Sequence, residues 1–145
     1  MKKIGDYALR GRIPARVETR IQLFDGQFDT AYQINSVKCS VDLLSTPREA
    51  YLVVTTAANV FGSVANQWDW SDNYQVAWAY MKTSLGANEG FAVYTNVDEN
   101  NLIIEDLFLN AESDAGDINY ELHLTKYDIS EAEGALTMVR NRSQA

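Results

Sequence analysis

The segment Ile118–Thr125, INYELHLT, puts Ile118, Tyr120, Leu122 and Leu124 on one parity and Asn119, Glu121, His123 and Thr125 on the other. A half-buried β-strand has this period of two, because successive side chains leave opposite faces of the pleat. Leu102–Leu109 has strand length and its own alternation through Ile103, Glu105, Leu107 and Leu109. Between them Asn110–Asp117 is polar and carries Gly116, a residue suited to positive φ. The pattern predicts an antiparallel hairpin across Asn101–Asp128, central to its sheet.

The rest of the chain reads in the same way. Val17, Thr19, Ile21 and Leu23 share a parity in a strand Val17–Phe24, and Asp25-Gly26 is a turn signal. Tyr32–Val41 returns as a strand whose parity slips: Tyr32 and Ile34 lie on one set, Val37, Cys39 and Val41 on the other. A β-bulge near Asn35-Ser36 reconciles them. Ala50–Ala57 is a β-branched strand, Asn59–Asn66 a loop, Tyr74–Lys82 a strand, Ser84–Gly90 a loop, and Phe91–Asn96 a short strand before a turn at Asp98–Asn101. Beyond Asp128 the alternation is lost, and Ser130 could cap a short helix or open a strand-like tail.

Seven or eight short strands with turns between them predict an all-β, single-domain antiparallel β-sandwich, jelly-roll-like, over residues 17–129. Residues 1–16 contain Gly5, Gly11 and Pro14 and little periodicity, which predicts an extended N-terminal arm; residues 130–145 form a C-terminal tail. The expected core draws on Ile21, Leu23, Ile34, Val53, Val76, Trp78, Val93, Leu107, Tyr120, Leu122 and Leu124. Removal of Met1–Arg16 is expected to leave a folded sandwich.

The 145 residues carry a net charge of −8, unevenly distributed. The first twenty hold Lys2, Lys3, Arg10, Arg12, Arg16 and Arg20, whereas from Tyr51 to Val139 the only cations are Lys82 and Lys126 among many carboxylates. An acidic body makes nucleic acid a poor partner. A basic arm on such a body suits docking to an acidic protein surface, a second copy of the chain included. No apolar run reaches the ~20 residues of a membrane span, and the basic N-terminus has no apolar stretch behind it to make a secretory signal. The single cysteine fits synthesis in a reducing cytoplasm.

Chemistry is sparse. His123, the only histidine, sits mid-strand on the polar parity, and Cys39 belongs to an apolar set, so neither reads as catalytic. One His and one Cys cannot build a zinc shell. Glu112, Asp114 and Asp117 gather oxygen donors around Gly116, but without EF-hand spacing, and no metal is assigned. Adjacent pairs such as Glu105-Asp106 point to opposite faces and do not converge for glycoside hydrolysis. The expectation is a non-enzymatic protein with no cofactor. Trp68, Trp70, Tyr74, Trp78 and Tyr80 share even parity. The parity marks them as inward core residues, with Trp68 and Trp70 as exceptions whose polar surroundings leave them free to stack on a sugar face.

Three stretches, RIQLFDGQFDTAYQI (Arg20–Ile34), NQWDWSDNYQVAWAY (Asn66–Tyr80) and GDINYELHLTKYDIS (Gly116–Ser130), cover under half the chain. Through them the sequence resembles small accessory structural proteins of tailed-phage virions, and the last is similar to sheet-closing strands of tail and baseplate proteins. The resemblance implies a virion component, made in the host cytoplasm, with a β-sandwich body and no active site. On that view the first reading is a capsid decoration or cement protein. It would dock on the major capsid protein or other virion subunits, and on copies of itself, through Tyr7, Leu9, Arg10, Arg12, Ile13 and Arg16. The second is a tail, neck or adhesion component in which Trp68 and Trp70 contact a host glycan.

Overall fold

The computed structural model describes residues 2–24, 26, 29–44, 47–58, 67–83 and 92–129. The expected loops at Asn59–Asn66 and Ser84–Gly90 and the tail 130–145 lie outside them. The protein is an all-β sandwich of two antiparallel sheets. Its strands are β1 (Lys2–Ile13), β2 (Thr19–Ile21), β3 (Thr30–Val41), β4 (Arg48–Thr55), β5 (Gln75–Thr83), β6 (Ala92–Val97), β7 (Leu107–Ser113) and β8 (Ile118–Asp128). One sheet has the order β1-β8-β3, the other β2-β7-β4-β5-β6.

The expected alternation of β8 holds. Ile118, Leu122 and Leu124 are buried, and β8 is the central strand of its sheet. The expected hairpin does not form. β7 pairs with β2 and β4 in the five-stranded sheet, while β8 pairs with β1 and β3 in the other. The Asp114–Asp117 connection is therefore an arch from sheet to sheet. Its Gly116 has the expected positive φ, 79°. A side chain there would also collide with Asp42, whose Oδ2 lies 2.5 Å from the position of a Cβ. Asp42 ties this corner together, accepting from Arg48 Nη1 at 2.5 Å, Arg12 Nη2 at 3.2 Å and the Asp117 amide at 3.2 Å. Desolvation works to raise the Asp42 pKa, but the Asp117 amide, Arg48 and Arg12 outweigh it and hold the carboxyl below its usual range.

The arm expected over residues 1–16 is instead the strand β1, in register with β8 from Gly5↔Lys126 to Ile13↔Ile118. Its pattern was hard to read because β1 is an edge strand with most side chains exposed and an irregularity between Lys3 and Gly5. Only Leu9 and Ile13 reach the core, and Gly11 leaves room for the Tyr120 ring, which would stand 3.0 Å from a Cβ. After Ile13 the chain turns at Arg16, with φ 63°, into β2 on the other sheet.

The bulge expected near Asn35-Ser36 is present, between Ile34 and Ser36 of β3. The main core fills the space between the sheets. Ile34, Val37, Val41, Leu122 and Leu124 on one side meet Leu52, Val54, Leu107, Leu109 and the small Ala77 and Ala79 on the other. Ile21, Leu23 and Tyr120 are only partly buried at its margin. Val93, expected in the core, is 66% exposed because β6 is an edge strand. The first half of the expected strand Leu102–Leu109 is not strand: Ile103 makes an isolated bridge to Tyr32, and β7 begins only at Leu107.

Candidate functional site

Tyr51, Trp78, Tyr80 and Tyr94 sort onto the side of the five-stranded sheet that faces away from the sandwich core. Tyr51 of β4 pairs with Tyr80 of β5, and Tyr80 with Tyr94 of β6. Residues directly opposite across a sheet share a face, so the three tyrosines form one row. The next row sets Val53 against Trp78, and these two form a small buried cluster with Trp68 packed on it. The expectation that the even-parity aromatics point into the main core is corrected here. Leu52 and Val54 take that side of β4, and the aromatics take the other.

Trp68 and Trp70, singled out from the sequence, come from the segment before β5 and fold back over the tyrosine row. Trp68 lies edge-on to Tyr51, ring centroids 6.4 Å apart, and tilted against Tyr94 at 5.9 Å. Trp70 is nearly parallel to Tyr94, at 17° and 6.4 Å, and edge-on to Trp78 at 6.1 Å. Tyr51, Trp68, Trp70, Tyr80 and Tyr94 together line a shallow depression of about 410 Å³. Trp70 is 60% exposed and Tyr94 42%, so the two stacked rings are open to solvent.

Hydrogen bonds brace the tryptophan-bearing turn. The Asp69 carboxylate accepts from the Ser71 hydroxyl at 2.5 Å and the Ser71 amide at 3.0 Å, and both bonds hold its pKa below the usual carboxylate range. Asp72 accepts from the Tyr74 amide at 3.0 Å. Gln75 Oε1 accepts from the Asp69 amide at 3.1 Å and from Trp78 Nε1 at 2.9 Å, joining the tryptophan-bearing turn to β5. Fixed rings lose little entropy when a ligand lands on them.

Polar groups stand at one end. Tyr51 Oη donates to Glu49 Oε2 at 2.9 Å, and Lys82 Nζ lies 3.5 Å from Glu49 Oε1. Desolvation, reinforced by Glu49, pushes the Tyr51 phenol up to about 12, and the same two causes raise Tyr80. Both tyrosines therefore remain hydroxyl donors at any physiological pH. The depression thus offers flat rings beside a carboxylate, an ammonium and three phenols, the equipment for a ligand with an apolar face and hydroxyl edges.

The residues assigned to docking are dispersed by the fold. Ile13 is buried and Leu9 half-buried against the core. Arg12 pairs with Asp42, and Arg16 Nε donates to both oxygens of Glu112 at 2.8 and 3.0 Å. Arg12 and Arg16 are thus ion-paired within the chain and Ile13 is in the core, whereas Leu9 is only half-buried and Tyr7 and Arg10 remain exposed. The acidic set around Gly116 is divided in the same way: Glu112 faces Arg16, Asp117 lies 3.7 Å from Arg12, and Asp114 accepts from the Glu49 amide at 3.2 Å. Among the described residues no group of three or more His, Cys, Asp or Glu is arranged to hold a metal ion. No protein-family model matches the chain, and no curated protein is significantly similar to it.

His123 stands on the outer face of the three-stranded sheet with Nε2 2.6 Å from Glu121 Oε1, and that bond lowers the Glu121 pKa. Cys39 is buried, its thiol pushed up to about 12 by desolvation. It faces a cleft of about 670 Å³ lined also by Gly11, Tyr120, Met81 and Val93, the mouth of the core between the two sheets.

Sequence reasoning found Trp68 and Trp70 but missed Tyr51 and Tyr94. Their signal lay in register across β4, β5 and β6, which no single strand displays.

Proposed function

We propose that this protein is a non-enzymatic structural component of a tailed-phage virion whose aromatic platform binds a saccharide on the host surface. The observation that carries the saccharide reading is the set of Tyr51, Trp68, Trp70, Tyr80 and Tyr94, with Glu49 and Lys82 at its edge. Pyranose rings present apolar C–H faces and hydroxyl rims, and this arrangement complements both. The pairing order supports the jelly-roll reading: β1 with β8, β2 with β7, and β4 with β5 are nested first-to-last pairs, with β6 joined to β5. Jelly rolls serve viral capsid and lectin domains alike, which is a fold-level analogy and no more.

Of the two virion positions, the platform favours the tail, neck or adhesion component. The decoration reading leaned on a free arm, and that segment is a strand of the body. Binding to a panel of soluble bacterial surface polysaccharides, followed by tryptophan fluorescence and affinity electrophoresis, tests the proposal. Trp70→Ala and Tyr94→Ala should each weaken binding at least about tenfold, equivalent to roughly 1.4 kcal/mol. Because both side chains are exposed, the fold should survive. Trp78→Ala, by contrast, should destabilise the protein by about 3–5 kcal/mol, since that ring is buried. Failure of every saccharide to bind, or binding unchanged in both exposed variants, would remove the reading. Imaging labelled copies on the particle separates a few sites at the tail from a lattice on the head.

A further inference from the structure

Strand β1 is the longest uninterrupted sheet edge among the described residues. The opposite edge of its sheet, β3, is bulged at Ile34/Ser36 and bridged by Ile103, while in the other sheet β2 has three residues and β6 six. From Gly5 to Ile13 the β1–β8 register has no break, so the other side of β1 presents a regular row of backbone donors and acceptors. Such a row is a template for another strand.

The sequence of that edge is self-complementary. Gly5–Gly11 reads GDYALRG, and turning it end for end about Ala8 sets Gly5 opposite Gly11, Asp6 opposite Arg10, and Tyr7 opposite Leu9. In an antiparallel pair, directly opposed residues share a face. Asp6 and Arg10 lie on the outer face, since β8 sets them against Thr125 and Glu121; Tyr7 and Leu9 lie on the inner face, against Leu124 and Leu122. A like-charged or mismatched pair would destabilise such a contact, and this register has neither. Asp6 is already positioned, accepting from Thr125 Oγ1 at 2.8 Å with Lys3 Nζ 2.7 Å away. Lys2 and Lys3, and the irregularity between Lys3 and Gly5, lie outside the complementary segment and limit pairing to it.

We infer that two copies of this chain associate through β1 about a two-fold axis at Ala8, joining their three-stranded sheets into a continuous six-stranded one. The contact is isologous, as a two-fold dimer requires. Seven residues of edge bury less than a standard interface of roughly 1,600 Å², so the dimer is weak and concentration-dependent. Within a particle, neighbouring attachment points would raise the effective concentration and make that weakness tolerable.

Sedimentation equilibrium of the full chain over a concentration series is the test, with far-UV circular dichroism confirming each variant's fold. The wild type should show a reversible monomer–dimer equilibrium. Asp6→Arg alone and Arg10→Asp alone should each weaken it at least about tenfold, because each sets like charges opposite one another. The double variant should recover most of that loss. Ala8→Cys, a small change at an exposed site, should give a disulfide-linked dimer on mild oxidation, whereas the wild type, whose Cys39 is buried, should not. A wild type that stays monomeric without Ala8→Cys crosslinking overturns the inference, as it would if β1 served a different subunit instead. A dimer indifferent to all three charge variants overturns it too.

Discussion

Asn101 and Ile34 are joined twice: the Ile34 amide donates to Asn101 Oδ1 at 2.8 Å, and Asn101 Nδ2 donates to the Ile34 carbonyl at 3.2 Å. The side chain does the work of a neighbouring strand on the edge of β3 away from β8, continuing the Tyr32–Ile103 bridge by one step. Both groups of Ile34 are out of reach of solvent, and orphaning a buried backbone group costs roughly 1–3 kcal/mol. Asn101→Ala is therefore expected to lower stability by about 2–4 kcal/mol in a urea titration. Asn101→Asp should cost at least as much at neutral pH, because it sets a buried carboxylate oxygen against the Ile34 and Asp98 carbonyls.

Asp106 does a similar task for the chain leaving β2. It accepts from the amides of Leu23 at 3.0 Å and Phe24 at 3.2 Å and from Arg20 Nε at 2.6 Å. Desolvation works to raise its pKa, but the Phe24 amide, Arg20 and the Leu23 amide prevail and leave it below the ordinary 3.8. A carboxylate whose folded pKa is depressed stabilises the native state above its unfolded value, and that stability is lost as pH falls through the folded one. Asp106→Asn should thus cost about 2 kcal/mol at neutral pH. The gap to wild type should close as pH drops below 3.8. A gap that stays constant down to acid unfolding would show that the charge of Asp106 contributes nothing.

Two core substitutions separate buried from exposed positions of the same expected set. Leu122 is fully buried at the centre of β8, so Leu122→Ala should cost about 2–5 kcal/mol. Val93→Ala, on the exposed edge strand, should change stability by less than about 0.5 kcal/mol. Thermal and urea unfolding of the pair is sufficient, and equal losses would mean that β6 is packed more tightly than its exposure indicates.

Removing residues 1–13 should not leave the folded sandwich expected of a free arm. It would strip one whole side of β8 of its hydrogen bonds and take Leu9 and Ile13 from the core. The exposed central strand would then template aggregation. Loss of a sharp unfolding transition, together with material in the void volume on gel filtration, is the expected result. A soluble monomer with a cooperative melt would return β1 to the status of an appendage.

The alternation in Ile118–Thr125, the slip that demanded a bulge in β3, the turn glycines and the polar setting of Trp68 and Trp70 were all legible, because each is written in the spacing of neighbouring residues. Period two states which face a side chain takes. It does not state which strand lies alongside. A short polar connection such as Asp114–Asp117 can close a hairpin or arch between sheets, and the pairing of β7 with β4, which turns Leu107 and Leu109 into the core between the sheets, selects the arch. β1 escaped notice because an edge strand buries few side chains, leaving its backbone pairing with no apolar signature. The same reason hides the platform: Tyr51, Tyr80 and Tyr94 are far apart in the chain and become neighbours only through the registers of β4, β5 and β6. Local sequence determined strands and faces; partner choice and register, which depend on long-range burial, belonged to the tertiary structure.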